Sequence, residues 1–329
     1  MNDKSIQVLE QYEMEVKKIT KGRGSLLVDT DKGYFRLSEY KGTASRLIYE
    51  EELLDYISEN GFPAVNSIIK NKEGDLFSVD YTGIKYILTR HFSGNECDVR
   101  NKNDMNQAVK TLAQLHNIMS HVEIKNTEYI PVLSGNLEEI RKHNIELRRI
   151  RAYIRGKTGK TEFEYDVLAH FDQFYELALE SEKELRESGY SEENKKAVAN
   201  NAICHGNYNY HNIIRQETGM AVINFEHSGR GMLVRDLYFF LRKVMEKHDW
   251  NQGYGLELIE NYDKIRNLSC EERKILKILL NYPEKFWKVL NHYYNGNKSY
   301  LPDQMKEKMQ RVYMQQKNKS KFVDSKELF

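Results

Sequence analysis

Cysteine, proline and tryptophan are scarce in this sequence of 329 residues, which contains three, four and two of them respectively. The cysteines, Cys97, Cys204 and Cys270, are odd in number, lie far apart and form no CxxC pair. A disulfide framework and a structural zinc site are therefore not expected. The low proline content, together with 30% charged residues, favours a folded and helix-rich chain.

Neither charge sign dominates, and long apolar runs are missing. Lys and Arg number 50 against 49 for Asp and Glu, which gives a net charge of +1, so no nucleic-acid partner is predicted. No stretch approaches the ~20 apolar residues of a membrane span, and residues 1–18 contain acids and no apolar core. We therefore expect no signal peptide and no membrane partner, and synthesis in the cytoplasm.

The N-terminal part has the pattern of an antiparallel sheet with one helix. Strands are predicted by alternation and turn residues at 14–20, 25–29, 34–40, 76–81 and 85–91. An apolar stripe predicts a helix over 45–59, which is followed by Gly61 and Pro63 as stop signals. The length suits one two-lobed unit or two domains, and this part forms an α+β lobe.

From about residue 95 the pattern becomes helical. Apolar spacing predicts helices at 105–122, with Asp104 as a cap, and at 162–188, 235–248, 254–266, 270–280, 283–294 and 302–316. Short apolar strands at 202–204, 213–214 and 221–225, with a turn at 216–219, predict a hairpin embedded among these helices.

Two linked motifs carry the chemical information. Residues 205–214 have the sequence HGNYNYHNII, and residues 222–226 have VINFE. They resemble the catalytic and metal-binding loops of aminoglycoside phosphotransferase-like kinases, which have His-Gly-Asp with an Asn five residues after the Asp, then Ile-Asp-Phe and an acid. The resemblance implies a bilobal, protein-kinase-like α+β fold. It has a small β-rich lobe with one helix and the linker strand at 1–94, and a larger helical lobe at 95–329 that contains the catalytic-loop hairpin.

The resemblance also assigns the residues of the site. In such kinases the first Asp accepts the proton of the attacking hydroxyl, the Asn binds magnesium, and the second Asp bridges the magnesium ions. Here Asn207 and Asn224 stand at the two Asp positions, Asn212 at the magnesium-binding Asn, and His205 opens the catalytic loop. Losing a positioned base costs on the order of 10²–10⁴-fold in rate, and a neutral amide holds magnesium weakly. We therefore expect this chain to phosphorylate poorly or not at all.

The small lobe should supply a strand lysine and a helix glutamate to a nucleotide. Glu50 lies on the apolar stripe of the helix, where the family has its inward Glu. Ser38 aligns with the lysine, and Arg36 lies on the same strand face, so Arg36 is a candidate partner for Glu50. Two interpretations stay open: a vestigial role in phosphate binding, or three residues that satisfy one another or face water.

The segment at 86–94 resembles the connection between kinase lobes. The resemblance implies that backbone groups of Thr89, Arg90 and His91 would meet an adenine. The glycines at 21–25 lie where a loop would cover the nucleotide, although two glycines at a strand turn are also ordinary hairpin chemistry.

Further segments narrow the resemblance to CotS-like spore coat proteins of endospore-forming Firmicutes. They are FSGNECD at 92–98, LAQLH at 112–116, YPEKFWK at 282–288 and NHYYN at 291–295. The resemblance implies a place on the spore coat, other coat proteins as partners, and a pseudokinase with a structural or assembly role. The alternative is an active phosphotransferase that uses ATP and magnesium on a small hydroxylated molecule in the cleft between the lobes.

Overall fold

The computed structural model describes residues 6–126, 129–296 and 302–326. Backbone proximity divides the chain into two compact units. Unit 1 comprises Met1–Val132 and Asn200–Arg230, and unit 2 comprises Leu133–Ala199 and Gly231–Phe329.

Unit 1 is built on a six-stranded antiparallel sheet with the order β1-β2-β3-β6-β4, and with β5 paired to β6. The strands are β1 (Val16–Gly22), β2 (Ser25–Thr30), β3 (Gly33–Glu39), β4 (Ile68–Ile69), β5 (Ser78–Val79) and β6 (Lys85–Arg90). The five strands predicted in this region are confirmed, and β4 is an additional short one. Because side chains alternate along β3, Phe35 and Leu37 enter a buried apolar cluster, while Arg36 and Ser38 emerge on the opposite face.

The helix predicted in the small lobe is confirmed as α1 (Ala44–Glu59). The Thr43 side chain caps it by accepting a hydrogen bond from the Arg46 N–H. Its buried face combines leucines and an isoleucine with one carboxylate, that of Glu50. An acidic side chain on an otherwise apolar face is unusual and points to the site described below.

The rest of unit 1 ties the predicted hairpin to the sheet region. Its elements are β7 (Asn95–Glu96), α2 (Lys102–Met119), β8 (Ile203–Cys204), β9 (Ile213–Gln216), β10 (Gly219–Val222) and β11 (Gly229–Arg230). The β9–β10 hairpin is confirmed, β7 adds to it through β9, and β8 pairs with β11 rather than with the hairpin. Backbone proximity assigns 95–132 and 200–230 to unit 1, whereas the two predicted lobes meet at residues 94 and 95, and that lobe division stays a prediction.

The predicted cap of α2 is wrong. Asn101 accepts the first backbone N–H groups of the helix, including that of Asp104. Asp104 lies one turn further in, where it accepts a hydrogen bond from the Asp98 N–H and pairs with Arg215 at 3.2 Å. An acid inside the first turn of a helix still interacts favourably with the helix dipole.

Unit 2 is helical. Its helices in the described residues are α3 (Asn136–Gly156), α4 (Glu162–Glu187), α5 (Tyr190–Ala199), α6 (Val234–Met245), α7 (Gln252–Asp263), α8 (Cys270–Asn281), α9 (Glu284–Asn295) and α10 (Pro302–Val323). The six helices predicted here are confirmed, whereas α3 and α5 were not predicted, because charged residues interrupt their apolar spacing. The aromatic run of α9 packs inward, with Phe286 stacked on Phe174 at 4.6 Å. None of the described helices has the length and apolar character of a membrane span.

Candidate functional site

The first motif forms the loop between β8 and β9. Gly206 has a φ of +76°, and a Cβ at this position would lie 2.1 Å from the carbonyl oxygen of His227. Only glycine fits such a backbone contact in this conformation. The second motif follows β10, whose strand ends at Val222 because Asn224 adopts left-handed backbone angles of 67° and 59°. Asparagine is among the few non-glycine residues that adopt this conformation readily.

His205 connects the two motifs. It is 1% exposed, its Nε2 lies 3.1 Å from the carbonyl oxygen of Ile223, and its Nδ1 accepts the N–H of Asn207 at 3.2 Å. With Nδ1 as an acceptor, the ring proton is on Nε2, which donates to Ile223. Both ring nitrogens are thus engaged with the backbone, and the contribution of His205 is to hold the loops in register.

Four asparagines form a connected amide network at the predicted site. Asn209 donates to the Asn207 side-chain oxygen at 3.1 Å, and Asn212 donates to the Asn207 carbonyl at 2.9 Å. Asn224 in turn donates from Nδ2 to the Asn212 Oδ1 at 2.7 Å. The structure therefore brings the predicted catalytic and metal positions together, as the resemblance implies.

A cation of the protein itself lies at the metal position that the resemblance predicts. The Arg36 Nη1 donates a hydrogen bond to Asn224 Oδ1. The Asn212 Oδ1 already accepts the Asn224 amide. Magnesium requires several oxygen ligands and favours charged ones. Two amide oxygens that already accept N–H donors, one of them from a guanidinium, do not meet this requirement.

Magnesium therefore does not fit this arrangement of residues. Within the described ranges, no group of three or more His, Cys, Asp or Glu side chains could hold a metal ion. The positive charge of Arg36, which is hydrogen-bonded to Asn224, would also repel a divalent cation there.

The predicted pair between Arg36 and Glu50 is wrong, since Arg36 contacts Asn224 instead. Glu50 is 2% exposed, and one of its carboxyl oxygens has no hydrogen-bond partner. Burial raises the pKa of Glu50 to about 7; the charge of Arg46 opposes this shift and that of Glu226 adds to it. Arg46 itself donates to the carbonyl oxygens of Glu226 at 2.6 Å and Ser228 at 2.7 Å.

The remaining predicted binding residues lie on β3 and β6 beside Arg36. Ser38 is half-buried, and Thr89 lies opposite Arg36 in the β3–β6 pairing. The Arg90 N–H donates to the Ser67 carbonyl and the His91 N–H to the Tyr34 carbonyl, at 2.8 and 2.9 Å. Those two N–H groups are therefore not available to an adenine.

Arg36 lines a cleft of about 260 Å³ within unit 1. The cationic or titratable side chains lining it are those of Arg23, Arg36, His91, Glu96 and His211. Glu96 lies 2.6 Å from His211 Nδ1 and 4.0 Å from Arg23. Burial lowers the pKa of His91, and the nearby charge of Arg36 lowers it further.

Sequence reasoning missed Arg46, Asn66, Glu96 and His211 as parts of this region. Asn66 accepts the Asn224 N–H at 3.2 Å from a segment that carries no motif. Glu96 lies in the FSGNECD segment and His211 lies in the first motif. Neither residue is one of the motif positions to which the resemblance assigns a role. Their proximity depends on the pairing of β7 with β9.

A family model described as "Spore coat putative kinase YutH" matches residues 5–326. The chain belongs to this family. It is also similar to spore coat protein S of Bacillus subtilis (strain 168), with 19% identity over 305 residues, which cover 92% of this chain and 86% of that protein. These two matches confirm the resemblance to CotS-like spore coat proteins that was identified from the sequence.

Solved structures share the fold of this spore coat kinase family member at low identity. An aminoglycoside phosphotransferase from Alicyclobacillus acidocaldarius has a TM-score of 0.85 and 16% identity, over 97% of this chain and 93% of that one. Spectinomycin phosphotransferase, in complex with ADP and spectinomycin, has a TM-score of 0.65 and 13% identity, over 99% and 98%. An amicoumacin kinase has a TM-score of 0.62 and 12% identity, over 96% and 92%. The predicted kinase-like α+β fold is thereby confirmed.

Proposed function

We propose that this member of the spore coat kinase family is a pseudokinase that has a structural or assembly role on the coat and binds other coat proteins. The observation that carries the proposal is the hydrogen bond from Arg36 to Asn224. It supports the proposal because Asn224 aligns with the metal-binding Asp of the family motif, and a protein cation bonded to it would compete with a metal ion.

The catalytic position supports the same conclusion. The Asn207 side-chain oxygen accepts a hydrogen bond from Asn209, and an amide does not take up a proton at neutral pH. Asn207 therefore cannot act as the base that accepts the proton of an attacking hydroxyl. His205 does not replace it, because both of its ring nitrogens contact the backbone.

The family and its curated relative support the location. The family model and the B. subtilis relative both carry spore coat names. Kinase folds serve many functions, so the fold by itself does not require phosphorylation. If a tagged copy of this protein co-extracts with coat proteins from purified spores, the location is supported; recovery from the soluble spore interior alone would contradict it.

The loss of metal binding can be tested by measuring thermal stability in millimolar ATP, once with magnesium and once with EDTA. The wild type should show no magnesium-dependent stabilisation. The double variant Asn207→Asp with Asn224→Asp should gain little, because Arg36 would pair with the new carboxylate. Adding Arg36→Met to the double variant should free that carboxylate to bind magnesium. ATP with magnesium at about 100 times its dissociation constant should then raise the free energy of unfolding of the triple variant by about 2.7 kcal/mol.

The same samples test the alternative of an active phosphotransferase. Magnesium-dependent stabilisation of the wild type, together with phosphoryl transfer to a hydroxylated acceptor, would refute the proposal. Asn207→Asp alone serves as the matched control, since it restores the base but leaves the metal position unchanged.

A further inference from the structure

Arg36 is half-buried and lacks an acidic partner. Among the described residues its guanidinium makes one hydrogen bond, to a neutral amide, and no carboxylate lies within ion-pair distance of it. Burial lowers its pKa, while the more distant charges of Glu226 and Glu96 raise it. A guanidinium has several N–H donors in a planar fork, so most of those of Arg36 remain open to a ligand.

The surroundings of Arg36 favour an anion. Glu96 is the one acid among the described residues that line the cleft, and His211 and Arg23 both engage it. Arg36 thus remains as a positive charge that no residue of the cleft neutralises directly. Placing a cation out of water without a partner is costly, and a bound anion would offset that cost.

We propose that Arg36 takes the place of a metal ion, and that the cleft binds a diphosphate-sized anion directly and without a divalent cation. Arginine suits this role because its fork matches two phosphate oxygens at once. The cleft of about 260 Å³ has room for a diphosphate group.

This inference rests on the proposed function, because it requires that the metal position be occupied by Arg36. The two can nevertheless fail separately. Phosphoryl transfer by the wild type would refute the proposed function, whereas absence of metal-free anion binding would refute only this inference.

The test is calorimetric titration of the full chain with inorganic pyrophosphate at neutral pH in EDTA. The wild type should bind, and Arg36→Met should weaken binding by at least about tenfold, the effect of losing a charged hydrogen bond. Arg100→Met is the matched control, since Arg100 is an exposed arginine of unit 1 outside the cleft, and it should bind like the wild type. Orthophosphate and sulfate, titrated in parallel, should bind more weakly than pyrophosphate.

A second variant keeps Arg36 and changes only its partner. Asn224→Asp places a carboxylate against the guanidinium, so it should also weaken pyrophosphate binding by at least about tenfold in EDTA. Thermal melts of both variants establish that they are folded. The proposal is overturned if pyrophosphate binds only with magnesium, if it does not bind at all, or if Arg36→Met and Asn224→Asp bind it as the wild type does.

Discussion

Buried charge is handled in opposite ways in the two units. In unit 2, Arg242 is 4% exposed, and its Nη1 lies 2.6 Å from the Glu246 Oε1. The Lys285 Nζ lies 3.2 Å from the other oxygen of the same carboxylate. In the cleft of unit 1, the Arg36 guanidinium donates to the neutral amide oxygen of Asn224, and among the described residues it has no acid within ion-pair distance. The first arrangement satisfies each charge within the protein, and the second leaves a cation open to something outside it.

The pKa directions follow the same difference. Burial alone would raise the pKa of Glu284 in unit 2, but His143, whose Nδ1 lies 3.6 Å from the Glu284 carboxylate, and nearby cations lower it to about 2. In unit 1, burial raises the pKa of Glu50 to about 7, because no cation offsets it fully. A buried acid with a raised pKa and an arginine whose side chain bonds to a neutral amide, both in unit 1, indicate a region shaped for binding.

Breaking a pair in unit 2 should have the largest effect on stability. Glu246→Gln removes the partner of buried Arg242, and losing one member of a buried pair costs about 3–5 kcal/mol. Urea denaturation measures this loss. Arg36→Met is the comparison in unit 1 and should cost less than about 1 kcal/mol, since it removes one hydrogen bond and also a buried charge. Equal losses for the two variants would contradict the difference between the units.

The next effect is a pH dependence from Glu50. Its pKa is about 7 in the folded state and 4.5 for an unperturbed side chain, the value expected in the unfolded chain. Between these values the folded state therefore holds the proton more tightly. The free energy of unfolding should therefore fall as pH rises from about 4.5 to 7, by about 3 kcal/mol at most. Glu50→Gln should match the wild type near pH 4.5 and be the more stable protein at pH 8.

Chemical denaturation at a series of pH values measures this profile. Glu59→Gln, at the exposed end of the same helix, is the control and should keep the wild-type profile. If Glu50→Gln shows the same pH profile as the wild type, Glu50 does not titrate in this range.

The smallest effect concerns the backbone of Asn224. Asn224→Gly and Asn224→Ala both remove the side-chain hydrogen bonds, but only alanine is strained at a φ of +67°. Alanine should be less stable than glycine by about 1 kcal/mol in thermal melts. An alanine variant as stable as the glycine variant would mean that the cleft backbone relaxes, and that Asn224 is not held in place for Arg36.

Much of the fold could be predicted from local patterns. The strands from β1 to β3, helix α1 and the β9–β10 hairpin follow from alternation, apolar stripes and turn residues. The two motifs also identified Asn207, Asn212 and Asn224 as neighbours. Helices α3 and α5 were missed because their polar residues obscure the buried stripe that contact with other helices requires.

By itself, the sequence determined the family, the kinase-like fold and the presence of amides where catalysis needs acids, because those depend on residue type and spacing along the chain. Only the tertiary structure decided that Arg36 contacts Asn224 rather than Glu50, and that one carboxyl oxygen of Glu50 has no hydrogen-bond partner among the described residues. Arg36 and Asn224 are 188 positions apart, and no local pattern encodes the direction in which a long side chain extends across a cleft.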